Sequence, residues 1–321
     1  DFIRLAGIAG VGLAGTSLIK SCSSEELEQR GSQQFNMCGY AAPKLETVRI
    51  GFIGLGNRGP GAVGRMSHID GVEIKALCDL RPDRIDVAKE RISNDIHDPV
   101  TYSGNEEVWK ELCERDDIDL VYICTPWHLH TPMAVYAMKQ GKHVCTEVPA
   151  AVTTDECWEL VETSESTKKH CMMLENCCYD FFELLTLNMA RQGFFGDIIH
   201  CEGAYIHDLR VHNFSKEEYQ DMWRLKANQR NGNLYPTQGL GPIAQIMDIN
   251  RGDRMDYMVS VSSDDFMLHK IAEELAATDD FYEPFAGATY RGNMNTSTIR
   301  TVKGGTMMIQ HDVTSPRPYS R

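Results

Sequence analysis

The sequence predicts an α/β protein in two parts: a doubly wound parallel sheet, then a smaller α+β domain with an open, mainly antiparallel sheet. Three observations carry this. From Val48 onward, short apolar runs alternate with amphipathic segments, the pattern of parallel strands joined by crossover helices. The first run, Val48-Arg49-Ile50-Gly51-Phe52-Ile53, breaks into Gly54-Leu55-Gly56-Asn57-Arg58-Gly59 and then into helix-compatible sequence. After Asn176 the texture changes to alternating runs such as Ile198-Ile199-His200-Cys201-Glu202-Gly203-Ala204-Tyr205, which suit a strand of a more open sheet.

The glycine run has the form of a Rossmann dinucleotide turn. Gly54 makes the turn, Gly56 lets the backbone approach a pyrophosphate, and Gly59 lets helix and strand pack closely. Such a motif is weak alone, but a second apolar run, Val72 to Cys78, ends at Asp79, 20 residues beyond Gly59. A carboxylate there suits the two ribose hydroxyls of NAD and repels the additional phosphate of NADP.

Further strands are expected at Leu120 to Cys124, His143 to Thr146 and Cys171 to Leu174. Helices are expected near Gly59 to His68, Asp83 to Ile92, Glu106 to Glu114, Pro132 to Lys139 and Thr154 to Ser164. Pro132 suits a first helical turn, and Thr154 with Asp155 and Glu156 suits a helix start. In the second part a helix is expected from Phe181 to Arg191. Strands come next at Met258 to Ser262, Thr298 to Val302 and Thr306 to Gln310, the last two joined by Gly304-Gly305. No internal repeat is visible.

At 321 residues the chain is long enough for two domains. Residues 1–22 read as an export signal, 23–46 as a linker, 47–176 as the NAD-binding domain and 177–321 as the substrate domain. Leu5 to Leu18 is small and apolar like a signal h-region, too short and glycine-rich for a membrane span. The start resembles the stretch directly after the arginine pair of a twin-arginine signal, so an exported protein, periplasmic or membrane-anchored, is expected. Cys22, followed by Ser23-Ser24, is a candidate lipidation site and membrane attachment, although Ile19-Lys20-Ser21 fits the usual lipobox poorly. The chain is expected to continue upstream of Asp1 and beyond Arg321.

A net charge of −14 argues against nucleic acid as a partner, since duplex binding relies on Lys and Arg. None of the eleven cysteines is spaced as Cys-x-x-Cys, so most are read as small buried hydrophobes. A homo-oligomer is compatible with the sequence.

Cys124-Thr125-Pro126-Trp127-His128-Leu129-His130 comes after a strand end, where doubly wound sheets bind ligands, and as a loop it should face the dinucleotide. His128-x-His130 lacks an assignable third metal ligand, so no metal is expected. Glu147-Val148-Pro149 ends the next strand and points at the same crevice. These segments together resemble the Gfo/Idh/MocA oxidoreductase family, where the lysine of a Glu-Lys-Pro motif commonly stands at Val148. Valine cannot move a proton, which shifts weight away from a sugar dehydrogenase with net NAD reduction.

The longer run Glu147-Val148-Pro149-Ala150-Ala151-Val152-Thr153 is more specific, taken with Met173-Leu174-Glu175-Asn176-Cys177-Cys178-Tyr179-Asp180, Gly203-Ala204-Tyr205-Ile206-His207-Asp208 and Gly232-Asn233-Leu234-Tyr235-Pro236-Thr237. It resembles glycoside hydrolase family 109, the NAD-dependent α-N-acetylgalactosaminidases. The resemblance implies tightly held NAD and a glycan or glycoconjugate bearing terminal N-acetylgalactosamine as substrate. It assigns Asn57, Arg58, Asp79, Trp127, His128, His130, Glu147, Val148 and Asn176, with Gly54, Gly56 and Gly59, to the cofactor. Tyr205, Arg224, Tyr235, Pro236, Thr237, Gln238 and Tyr319 go to the sugar. Tyr179 and Tyr235 are candidates for proton transfer, and Glu147 belongs to the same catalytic set.

One departure is Gln238, which stands where the family usually has histidine. An amide holds a hydroxyl but does not accept its proton, so either Gln238 only orients the sugar or another group, such as His207, takes over. The family mechanism oxidises the sugar transiently at C3, eliminates the aglycone across C1 and C2, adds water and returns the hydride. It needs no pair of flanking carboxylates. A non-catalytic NAD- or sugar-binding lipoprotein is the remaining alternative, kept open by Gln238.

Overall fold

The computed structural model describes residues 33–219 and 221–321. The expected export signal and Cys22 lie outside the described residues, and residues 37–47 carry no helix or strand. Among the described residues, no helix is long and apolar enough to cross a membrane.

The first sheet has six parallel strands: β1 (Val48–Ile53), β2 (Val72–Cys78), β3 (Val100–Tyr102), β4 (Leu120–Ile123), β5 (His143–Thr146) and β6 (Cys171–Met173). Their order is β3-β2-β1-β4-β5-β6, the doubly wound arrangement with its switch point between β1 and β4. Connecting helices are α1 (Gly59–Met66), α2 (Pro82–Lys89), α3 (Trp109–Cys113), α4 (Trp127–Lys139) and α5 (Thr154–Thr167).

Alternation along the strands makes two cores. Ile50, Phe52, Ile74, Leu77 and Tyr122 pack on one face with Leu55, Val63 and Ile85. Ile53, Ala76, Val121, Ile123 and Val144 pack on the other with Leu112, Met133 and Met138. A sheet covered on both sides needs strands apolar at nearly every position, and these supply them.

Two sequence expectations are corrected. Pro132 lies inside α4, because that helix starts five residues earlier at Trp127, directly after Pro126. Trp127 to His130 is therefore a first helical turn instead of a loop. Strand β3 lies outside the expected set; it is three residues long, at the sheet edge and largely exposed, so it carries no apolar pattern. At α5 the cap is Thr153: its hydroxyl accepts from the Glu156 N–H at 3.2 Å and the Glu156 carboxylate accepts from the Thr153 N–H at 3.1 Å.

After a short 3₁₀ turn (Asn176–Tyr179) come α6 (Phe181–Arg191), β7 (His200–Ile206), α7 (Arg210–Asn213), α8 (Trp223–Ala227), α9 (Thr237–Ile246), β8 (Met255–Ser262), α10 (Leu268–Ala276), β9 (Asn295–Thr301) and β10 (Thr306–Asp312). The second sheet has the order β7-β10-β9-β8. Strand β9 runs antiparallel to both β8 and β10, while β7 pairs parallel to β10. Ile243 of α9 and Met247 directly after it pack against Ile299, Met307 and Ile309.

Candidate active site

Three glycines shape the turn after β1, each differently. Gly54 has φ +88°, a conformation side chains rarely adopt, and a Cβ there would lie 2.7 Å from the Cys124 carbonyl carbon. A Cβ on Gly59 would lie 2.3 Å from the Gly54 carbonyl oxygen, so α1 packs directly on the turn. A Cβ on Gly56 would meet nothing within 4 Å. The backbone is thus bare on an open side at the one position where the phosphates of a dinucleotide would approach, and the residues present fit that group.

Asp79, at the end of β2, accepts the Leu55 N–H at 2.6 Å on one oxygen and the Arg81 N–H at 2.9 Å on the other. Each oxygen keeps a second lone pair for a ribose hydroxyl. Glu147 is buried rather than a solvated strand-end carboxylate; it accepts from the Tyr122 hydroxyl at 3.2 Å and lies 3.5 Å from the Arg58 guanidinium. Burial works against the Arg58 charge, but Glu147 together with Tyr235, Tyr122 and Cys124 outweighs it and raises the Arg58 pKa above its ordinary value. Asn57, His128 and Asn176 are exposed, and Val148 is buried.

His130 differs from the other cofactor candidates. It is 1 % exposed, with Nδ1 2.7 Å from the Pro149 carbonyl and Nε2 2.7 Å from the Thr125 carbonyl. Burial pushes its pKa down. A neutral imidazole carries one N–H, so His130 donates to one of these two carbonyls; buried between the end of β4 and the segment after β5, it braces the crevice and does not open onto it.

The sugar-facing candidates gather around Tyr235. Its ring is 4.8 Å from Tyr205 and 5.6 Å from Trp127, centroid to centroid, so Trp127 at the end of the first sheet meets the second part of the chain here. The Arg224 guanidinium sits 5.1 Å from the centre of the Trp127 ring and is flanked by Tyr219 and Trp223. The Tyr205 hydroxyl is 3.2 Å from His207 Nδ1, and Tyr319 packs edge-on against both rings. Tyr319 donates to the Gln238 amide oxygen at 3.5 Å, a long contact that leaves the amide free to reorient. Pro236 caps α9, and the Thr237 hydroxyl is buried without a partner. Tyr179 stands apart: it ends the 3₁₀ turn, largely exposed, and joins none of these ring contacts.

Burial pushes the Tyr205 phenol up to about 12. Tyr235 is raised further, by burial first and then by Tyr205 and Glu175. His207 moves the other way, because burial first, and then His212 and Arg224 nearby, disfavour its charged form. At neutral pH the site therefore holds two phenols that keep their protons and one imidazole able to accept one.

Several contributors escaped the sequence reading. His311 is buried beneath Tyr205, its strand partner, and stacks on it at 5.9 Å. Gly203 and Gly239 let α9 touch β7 backbone to backbone: a Cβ on Gly239 would lie 2.5 Å from the Ala204 nitrogen, and one on Gly203 2.7 Å from the Gly239 oxygen. That crossing brings Tyr235 beside Tyr205, and Gln238, which directly precedes Gly239, to Tyr319. Gly239→Ala is expected to cost about 1–3 kcal/mol, read as a lower midpoint in thermal unfolding, since backbone must move to admit the methyl group. An unchanged midpoint would show the crossing to be loose.

Residues 48–175 match the oxidoreductase family with an NAD-binding Rossmann fold, and residues 179–321 match the glycosyl hydrolase 109 C-terminal domain. A protein of Bacteroides fragilis named alpha-N-acetylgalactosaminidase is 52 % identical over 294 residues, covering 90 % of this chain and 68 % of that one. Glycosyl hydrolase family 109 protein 2 of Phocaeicola vulgatus is 50 % identical over 291 residues, covering 89 % and 70 %. Among solved structures, scyllo-inositol dehydrogenase from Lactobacillus casei, with bound NAD(H) and scyllo-inositol, superposes with a TM-score of 0.61 at 16 % identity, covering 85 % of this chain and 72 % of that one. At that identity the likeness concerns the fold.

Proposed function

Because the chain belongs to glycosyl hydrolase family 109, we propose that it hydrolyses terminal α-N-acetylgalactosamine residues of glycans in a reaction that uses NAD without net consumption. The observation that carries the reading is the Trp127–Tyr235 contact, which joins the dinucleotide crevice to the cluster of Tyr205, His207, Arg224, Gln238 and Tyr319.

Gly56, Asn57 and Arg58 would hold the cofactor's phosphates, Asp79 its ribose, and Trp127, His128, Glu147, Val148 and Asn176 its reacting end. Bound there, NAD supplies reversible oxidation of the sugar at C3, which makes the C2 hydrogen removable. Tyr235, kept as a phenol by burial and by Tyr205 and Glu175, donates a hydrogen bond. His207, held neutral, accepts a proton. Gln238 and Arg224 orient the sugar hydroxyls and the N-acetyl group. Val148 is buried and has no proton to exchange, which counts against a dehydrogenase that accumulates NADH.

Turnover of a nitrophenyl α-N-acetylgalactosaminide in heavy water tests this. Release of nitrophenol, deuterium at C2 of the freed sugar and no build-up of NADH absorbance are expected. Hydrolysis that leaves the C2 hydrogen in place would refute the transient oxidation, and stoichiometric NADH from free sugar would favour a dehydrogenase. The reading extends to export by the twin-arginine route with Cys22 as the lipidation site, to be checked by the intact mass of the processed protein.

A further inference from the structure

Arg84 is the third residue of α2 and reaches back across the sheet edge to the glycine turn. Its Nε donates to the Leu55 carbonyl at 3.1 Å and its Nη2 to the Gly56 carbonyl at 2.5 Å. The same turn is held on its other polar group by Asp79, which accepts the Leu55 N–H at 2.6 Å. Two side chains from the β2–α2 region thus fix three backbone groups of a segment that has no regular structure of its own.

In a planar trans peptide the carbonyl and the N–H of the following residue point in opposite directions. Drawing the carbonyls of Leu55 and Gly56 toward Arg84 therefore turns the N–H groups of Gly56 and Asn57 away from it. No acceptor among the described residues engages either N–H. Beside them, the Cβ direction of Gly56 is open for 4 Å. A free turn rich in glycine would have to be ordered when ligand binds, at a cost in backbone entropy.

We propose that Arg84 is a positioning residue for the dinucleotide: its guanidinium fork pins the Leu55 and Gly56 carbonyls so that the Gly56 and Asn57 N–H groups are already aimed outward as donors to the pyrophosphate. The inference rests on the NAD reading above. It adds a role that a point charge would not fill, since a fork bonds two carbonyls at once and a lysine ammonium has no such planar geometry. Arg81 is the control for charge: it lies three residues away, and its side chain pairs with Asp83 at 2.6 Å.

The test is the NAD dissociation constant of nucleotide-stripped protein, measured by calorimetry, for the parent and for Arg84→Ala, Arg84→Lys and Arg81→Ala. Thermal midpoints of the stripped proteins are read alongside. Both Arg84 variants should bind NAD roughly tenfold more weakly, with Arg81→Ala within about twofold of the parent and midpoints shifted by only a few degrees. Parent-like binding by Arg84→Ala overturns the proposal, as does parent-like binding by Arg84→Lys, which would leave charge alone as the cause. A parent protein with no affinity for NAD would instead overturn the cofactor reading on which the proposal rests.

Discussion

Tyr235→Phe is expected to lower kcat/KM on an α-N-acetylgalactosaminide by about 10²–10³-fold, the range for loss of a positioned hydrogen-bond donor. Phenylalanine keeps the ring that packs between Tyr205 and Trp127, so the walls of the site survive and only the hydroxyl is lost. That hydroxyl holds its proton firmly, because burial, Tyr205 and the carboxylates Glu175 and Glu147 all disfavour a phenolate. NAD affinity should be unchanged and kcat should carry more of the loss than KM, the pattern of an interaction realised in the transition state. A variant within about threefold of the parent would remove Tyr235 from the chemistry and return it to a packing role.

His207→Gln should cost at least about 10²-fold in kcat and also change the shape of the pH profile. Burial, with His212 and Arg224 nearby, holds the His207 pKa below its ordinary value of 6.5. The imidazole is therefore neutral at pH 7 and becomes protonated only below 6.5. If it is the proton acceptor, the parent's kcat/KM stays level from neutrality down past pH 6.5 and falls beneath it, as the basic form is lost. The glutamine variant keeps a hydrogen-bonding partner for the Tyr205 hydroxyl but has no group titrating there, so its acid limb should disappear or move. An acid limb that stays in place in the variant assigns the titration to another group.

The sequence alone determined the dinucleotide turn and the carboxylate that answers it. Gly54, Gly56 and Gly59 sit at fixed offsets from a strand end, and what they do depends on local backbone conformation and on the absence of a side chain. Asp79 belongs with them because β2 must pair beside β1, which fixes where its end falls. Crossover helices and strands were legible for the same reason: a sheet covered on both faces demands continuous apolar strands, and periodicity is written locally.

The sugar end could not be read from residues in that way, and a family resemblance had to stand in for geometry. Tyr205 meets His311 only through the register of β7 on β10, over 100 residues apart in the chain. Tyr235 meets Tyr205, and Gln238 meets Tyr319, where Gly203 and Gly239 allow two backbones to touch. Tertiary packing also decided which polar residues face inward. His130 and His128 look equivalent in sequence, yet a helix beginning at Trp127 buries one and exposes the other. Spacing along the chain fixes a turn because neighbouring dihedrals set it, whereas a contact between distant segments depends on which surfaces can approach closely, and here two missing side chains settle that.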